Sequence, residues 1–378
     1  MMSKTVIDVH ILQTVPPSNL NRDDTGSPKT AVFGGVRRAR VSSQAWKRAV
    51  RVAFADELDQ SDLGVRTLRV VERVANRVLD LAPQVSLDEA TAATAKLFLA
   101  AGIVVKEPRR GNSSTPESTY LLFLSTRQVN ALAAMVVEMI VSGTAPDKKQ
   151  AQALIKNDNS IDLALFGRMV ADVSDLNVDA SCQVAHAIST HRVEAEYDYF
   201  TAVDDHKAEQ ADQDAGAGMI GTVEFNSATL YRYATIDAGL LYANLGDLEA
   251  TRRAITAFLR VFVTSMPTGK QNTFANRTLP ELVVFSVRGD QPVSYVAAFE
   301  EPVVGAVTGG RSVASAKRLA SYAQSVVDAY GVSPVHSWVV GIGAAGDAAE
   351  ALGDRVSLSD AVNAATSMAL DRIADGQS

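Results

Sequence analysis

Residues Arg37 to Arg51 read RRARVSSQAWKRAVR. Arg37 to Val41 suits a short strand, and Ser42 or Ser43, both good N-caps, then opens a helix expected to run to about Leu58. Trp46, Ala49, Val50 and Ala53 share one face of that helix, while Lys47, Arg48 and Arg51 group on another. The segment is thus a strand that hands over to an amphipathic helix with a cationic face.

Upstream, Thr5 to Leu12 alternates Ile7, Val9 and Ile11 with Asp8 and His10, the period-two pattern of a half-buried strand. Val15 to Lys29 carries Pro16, Pro17, Asn19, Asn21, Gly26 and Pro28, which predicts a loop, and Gly34-Gly35 predicts a flexible turn. Downstream, from about Asp59 to Asp179, apolar residues recur at helical steps (Val70, Val74, Val78, Leu81; Leu132, Met135, Val136, Met139), with a polar break over residues 108–116. Strand character returns at Gln183 to Val193. An acidic segment, Glu194 to Asp214, then leads through glycines to Thr222 to Ile236, which again alternates, and the two runs are expected to pair as a long hairpin. A helix (Leu248 to Val263), a loop (Met266 to Arg277), a strand (Leu279 to Val287) and a largely helical end follow. The series fits an α+β core with two large excursions rather than a βαβα repeat.

The chain has 378 residues, 47% of them hydrophobic, enough for a sizeable core. Its formal charge is −7, yet the window Arg22 to Arg51 holds eight basic residues against Asp23 and Asp24, so that window is +6 and the remainder −13. A lone cysteine, Cys182, excludes an internal disulfide and suits a reducing cytoplasm. The most apolar stretch, Ala131 to Val141, is interrupted by Glu138 and falls far short of the roughly 20 residues of a membrane span. A soluble, cytoplasmic protein is expected.

Two stretches match G-x-G-x-x-G. Gly216, Gly218 and Gly221 precede a strand rather than a helix and read as a hairpin loop. Gly341, Gly343 and Gly346 follow an apolar run, but the residues after them read as helix without the next parallel strand of a dinucleotide fold. Cys182, His186 and His191 do not share a strand face and lack a fourth ligand, so burial or hydrogen bonding explains them better than zinc. His10, His206 and His336 are scattered, with no nucleophile, base and orienter set. No catalytic residue, metal or cofactor is expected. The strongest chemical signal is the basic window: a capped helix start with Lys47, Arg48 and Arg51 one to two turns on is a phosphate-binding combination. Gly269-Lys270-Gln271 is a second, weaker candidate. Tyr199, Phe200 and Val203 sit among Glu196, Asp198, Asp204 and Asp205, where only apolar members could meet nucleic acid, as a wedge between bases.

NLNRDD at Asn19 to Asp24, FGG at Phe33 to Gly35, RRxRxSSQ at Arg37 to Gln44 with Lys47-Arg48, GRM at Gly167 to Met169, AHAIxTH at Ala185 to His191 and FTAVDD at Phe200 to Asp205 together resemble the CasC family, the backbone subunit of the type I-E CRISPR Cascade complex. The resemblance covers about the first 280 residues. It implies an RRM-like (ferredoxin-like) palm, inserted helical fingers and a long β-hairpin thumb: palm over residues 1–58, 182–192 and 225–378 with the C-terminal helices, fingers over 59–181, thumb over 193–224. It further implies that copies of the chain line up along a CRISPR RNA, present its bases to complementary target DNA beside other Cascade subunits, and leave cutting to a recruited helicase-nuclease. Carried over residue by residue, guide contacts fall on Arg22, Lys29, Arg38, Ser42, Gln44, Lys47, Arg48, Arg51 and Lys270, with Arg168 and Met169 against the bases and Phe200 and Val203 on the thumb. The alternative is a metal-dependent ribonuclease like the backbone subunits of type III complexes, with Asp23 and Asp24 holding the ion.

Overall fold

The computed structural model describes residues 4–108, 115–202, 219–305 and 310–376. Among these, one ten-stranded sheet organises the chain. Its order runs Asp354–Arg355, His336–Gly341, Leu282–Arg288, Val6–Ser18, Met219–Asp237, Ala187–Ser189, Val36–Val41, Thr30–Phe33, and Cys182–Val184 and Glu196–Ala202 also pair with the long strand Met219–Asp237. All pairings in this sheet are antiparallel except that of His336–Gly341 with Asp354–Arg355 at the edge. The fold is therefore mixed α+β, as expected.

The first strand runs six residues beyond Leu12 because its register with the long strand shifts between Val15 and Ser18, and this bulge accommodates Pro16 and Pro17, which lack a ladder donor. It is also buried on both faces. Ile7, Val9 and Ile11 pack with Phe258 and Phe262 of helix Leu248–Thr264 and with helix Leu358–Asp375. Leu12 meets Tyr231, Tyr295 and Phe299 under helix Gly310–Tyr330. The alternation of Asp8 and His10 with apolar residues thus marks a buried polar network rather than a wet face. Asp8 pairs with Arg288 at 2.9 Å, both side chains fully buried, and accepts from the Tyr233 hydroxyl at 2.8 Å. The Tyr231 hydroxyl lies 2.9 Å from His10 Nδ1, and the His10 ring stacks on Tyr295 at 4.4 Å.

Burial, helped by the Arg288 charge, pushes the His10 pKa from 6.5 to about 3. Below about pH 6.5 the unfolded chain takes up a proton that the folded chain refuses until about pH 3, so stability is lost as pH falls across that window. One such histidine contributes up to ~1.4 kcal/mol per pH unit. In denaturation series at falling pH, His10→Gln should show a shallower decline than the native chain. Parallel declines would mean that His10 is protonated in the fold.

Residues between the first helix and the Cys182 strand build a separate helical core. Val74, Val78, Leu97, Phe98, Leu132, Val136 and Met139 interlock within helices Val70–Leu81, Leu87–Ala100 and Thr126–Ser142. The expected strand at Gln183 to Val193 is present only as Cys182–Val184 and Ala187–Ser189, both paired with the long strand. That strand continues past the sheet as a projecting hairpin with Glu196–Ala202. The C-terminal part is less purely helical than its sequence implies, since two of its segments extend the sheet edge. Gly341 and Gly346 there serve a tight turn: a Cβ on Gly341 would lie 2.3 Å from the Gly346 Cα.

Candidate functional site

Ser42 is the N-cap, its Oγ accepting from the Ala45 amide, and the helix spans Ser43–Ala53 before tightening into a 3-10 turn at Phe54–Asp56, so it stops short of Leu58. Trp46 and Val50 form its buried face. The Trp46 ring lies 3.7 Å from the Arg232 guanidinium carbon, whose other neighbour is the Phe262 ring at 4.7 Å. Arg232 also donates to Gln13 at 2.6 Å and to the Phe262 carbonyl. Burial lowers its pKa to about 9. This cation sandwiched between two rings fixes the helix on the long strand, with Gln44 and Arg48 exposed and Lys47 and Arg51 half-buried on the other side.

Gln44, Lys47, Arg48 and Arg51 form one wall of an open groove of about 930 Å³. The facing wall comes from the helical region: Arg66, Tyr120, Phe123, Phe166 and the Gly167–Met169 turn. Arg51 stacks on Phe123 at 4.6 Å and pairs at 3.5 Å with Asp162, which is itself held by the Gly64 amide at 2.9 Å and the Ser160 hydroxyl at 2.7 Å. Lys47 has its ammonium 5.8 Å from the Phe166 ring. Arg168 lines the groove but is only 4% exposed, with Nε donating to the Leu176 carbonyl at 2.9 Å and Nη1 to that of Phe123 at 3.3 Å. It pins the turn, and Met169, 80% exposed, is the residue the turn presents. The resemblance implies both against bases; only the methionine stands clear of the surface.

The NLNRDD loop folds onto the start of the same helix. Asn21 Oδ1 accepts from the Ser42 amide at 2.8 Å, and the Lys29 amide donates to the Asn21 carbonyl at 2.9 Å. Gly269 packs against this loop so closely that a Cβ would lie 2.2 Å from the Leu20 carbonyl oxygen, which brings Lys270 beside it. Arg22, Lys29, Ser42 and Lys270 therefore belong to one neighbourhood at the helix start, next to the groove. Asp23 Oδ1 accepts from the Thr25 amide and hydroxyl and from the Ser27 amide, bonds that lower its pKa and make it the organiser of its own turn. Among the described residues no group of three or more His, Cys, Asp and Glu is placed to hold a metal ion.

Arg38 is a correction to the expected contact set. It is 0% exposed, and its guanidinium donates to the carbonyls of Phe33, Ser189, Phe299 and Glu300 at 3.1, 3.1, 2.9 and 2.8 Å. No side of it faces outward. Gly34 and Gly35, both at positive φ (58° and 74°), make the two-residue turn between Thr30–Phe33 and Val36–Val41, and Gly34 meets the Glu300 backbone where no side chain would fit. The AHAIxTH histidines are scaffolding too. His186 Nδ1 accepts from the Ser43 amide at 3.3 Å, and His191 Nε2 from the Thr229 amide at 3.1 Å. Phe200, 39% exposed on the projecting hairpin, lies across Gly221 of the partner strand, while Tyr197 and Tyr199 beside it are 69% and 63% exposed. Val203 lies outside the described residues.

Fold and groove together define an α+β protein with a sorted cationic cleft between its ten-stranded sheet and its helical region. A family model described as CT1975-like protein matches residues 7–364. Two solved chains are similar over nearly their whole length. One, from a "CRISPR RNA-guided surveillance complex, pre-nicking", superposes with a TM-score of 0.85 at 33% identity over 96% of this chain and 100% of that one. The other, from a "CRISPR RNA-guided surveillance complex", gives 0.76 at 29% identity over 96% and 99%. No curated protein matches. The chain belongs to the CT1975-like family, and its resemblance to CasC, the backbone subunit of Cascade, holds. No helix among the described residues is long and apolar enough to cross a membrane.

Proposed function

We propose that this chain binds CRISPR RNA as a repeated backbone subunit of a type I-E Cascade, with the groove beside helix Ser43–Ala53 as its guide surface. The observation that carries the reading is the convergence on one groove of the helix cations, from the sheet side, and of Met169 with three aromatic rings, from the helical side. Cations suit a sugar-phosphate backbone, while rings and a methionine suit base faces. In this reading the sheet is an RRM-like palm, the helical core the fingers, and the hairpin bearing Tyr197, Tyr199 and Phe200 the thumb. Specificity comes from pairing between the guide and target DNA, the protein reading backbone and shape. Cutting is left to a recruited helicase-nuclease. The ribonuclease reading at Asp23 and Asp24 is the less favoured one, because the family match and the similar chains come from the surveillance-complex side, and the Asp23 Oδ1 already organises its own turn through Thr25 and Ser27.

The test is to purify the chain from cells that express a CRISPR array and to size the bound nucleic acid. Bound RNA of uniform length, with an added complementary RNA left uncut in the presence of divalent metal, is the expected result. Heterogeneous bound RNA would overturn the guide-binding reading, and metal-dependent cutting of the complementary RNA that Asp23→Ala and Asp24→Ala abolish would replace the scaffold with the nuclease.

A further inference from the structure

Met169 stands clear of the surface, but the turn that carries it is anchored on both sides. On the inner side Arg168 runs back beneath it, with Nη1 reaching the Phe123 carbonyl at 3.3 Å and Gln128 Oε1 at 3.5 Å. Gln128 is fully buried and is the hub of that layer. Its Oε1 accepts from the Ser125 amide at 2.9 Å, half of the capping box of helix Thr126–Ser142, and its Nε2 donates to the Ile155 and Asn157 carbonyls, both at 2.7 Å. On the outer side Asn177 Oδ1 accepts from the Val170 amide at 2.6 Å, and Val170 is itself buried in the helical core. Asn177 is exposed, at the rim of the groove. Gly167, at φ 77°, closes the turn, and a Cβ there would lie 2.8 Å from the Val178 carbonyl oxygen.

Stability alone does not account for this way of holding a surface turn. The hydrogen-bond partners of the buried Arg168 guanidinium are neutral oxygens, and its Nη2 is buried with none, an arrangement that folds generally avoid. Such exceptions gather where geometry serves a site. A methionine side chain is unbranched and flexible, so a backbone already fixed beneath it reduces the freedom lost on binding. We infer that Gln128 and Asn177 are positioning residues that act on RNA through Met169. Gln128 works from within, by way of Arg168, and Asn177 from the rim, and together they hold the turn where Met169 meets a base. The inference rests on the RNA-binding reading above and deepens it: the helical wall of the groove is set in advance rather than shaped around the strand.

Two measurements on the full chain test it, and the first needs no RNA. The lone Cys182 is buried, so Met169→Cys supplies one accessible thiol for a nitroxide label. Adding Asn177→Ala or Gln128→Leu should sharpen the electron paramagnetic resonance lines of that label as the turn loosens. Unchanged lines in both would overturn the clamp, whatever the RNA does. The second is a double-mutant cycle read by fluorescence anisotropy of a labelled single-stranded RNA. Asn177→Ala should weaken binding about two- to tenfold, the range for one side chain that must be immobilised. The slope of log affinity against log salt should stay as it is, because no phosphate contact is lost. In a Met169→Ala chain the same substitution should weaken binding no further. An equal loss in both backgrounds, or a flatter slope, would make Asn177 an RNA contact in its own right and overturn the inference. Gln128→Leu should follow the same cycle, and if that chain fails to fold, Asn177→Ala decides. Full affinity in Met169→Ala, with Lys47→Ala still weakening binding, would overturn the positioning role and leave the guide surface standing. A native chain that binds no RNA would overturn the function itself.

Discussion

Replacing Arg38 by Met should destabilise the protein by about 3 kcal/mol or more in urea denaturation, because a hydrogen-bonded buried cation is removed and its partners stay behind. Those partners are four backbone carbonyls, from Phe33, Ser189, Phe299 and Glu300, which no compensating substitution can delete. Together they tie the Phe33-Gly34-Gly35 turn to the neighbouring strand and to the segment that precedes helix Gly310–Tyr330. Arg38→Lys should recover only part of the loss, since an ammonium lacks the planar fork that reaches separate carbonyls. Any RNA affinity the variant loses should disappear when binding is corrected for the folded fraction. A fully stable Arg38→Met chain with weakened RNA binding would instead place this guanidinium at the surface.

The converse holds for Lys47 and Arg48. Arg48 is exposed, Lys47 half-buried, and both belong to a helix held from its opposite face by Trp46 and Val50. The double substitution to Ala should leave the melting temperature nearly unchanged and flatten the salt slope of RNA binding by about 1.4, two contacts at 0.7 each. Arg51→Ala should behave differently from both. Its charge is already partly neutralised by Asp162, a carboxyl 4% exposed whose pKa burial raises, so its removal strands that carboxyl and lowers stability more than it alters the slope. Slope and stability together therefore separate the three cations of one helix. Equal slopes for the native chain and the double variant would move the RNA surface away from this groove.

Much of this was legible in the residues. The serine cap, the apolar and cationic faces of the first helix, the helical excursion and the pairing of the two later strand runs follow from local periodicity and capping chemistry, and the structure has all of them. What periodicity could not deliver was direction in space. Arg37, Arg38 and Arg40 look alike in a charge count, yet Arg38 turns inward while Arg37 is exposed, because the strand alternates and one face is closed by a segment some 260 residues away. Arg168 and Met169 are adjacent and have opposite fates for the same reason, since Val178 bridges the turn and carries the arginine inward. The far wall of the groove, Tyr120, Phe123 and Phe166, was hidden because its residues lie in segments whose apolar character reads as core. Pro16 and Pro17 misled in the opposite sense, marking a bulge inside a strand rather than its end.

The seating of the first helix has an optical consequence. The chain has two tryptophans. Trp46 is 1% exposed with a guanidinium against its ring, and Trp338 is 7% exposed beside the His336 ring at 4.6 Å. Emission from Trp46 thus originates within a single side-chain layer of the cationic surface, on a helix clamped to the central strand. A Trp338→Phe chain carries a reporter whose spectrum follows the seat of that helix alone, so loosening of the groove and melting of the distant sheet edge become separable signals in the same cuvette.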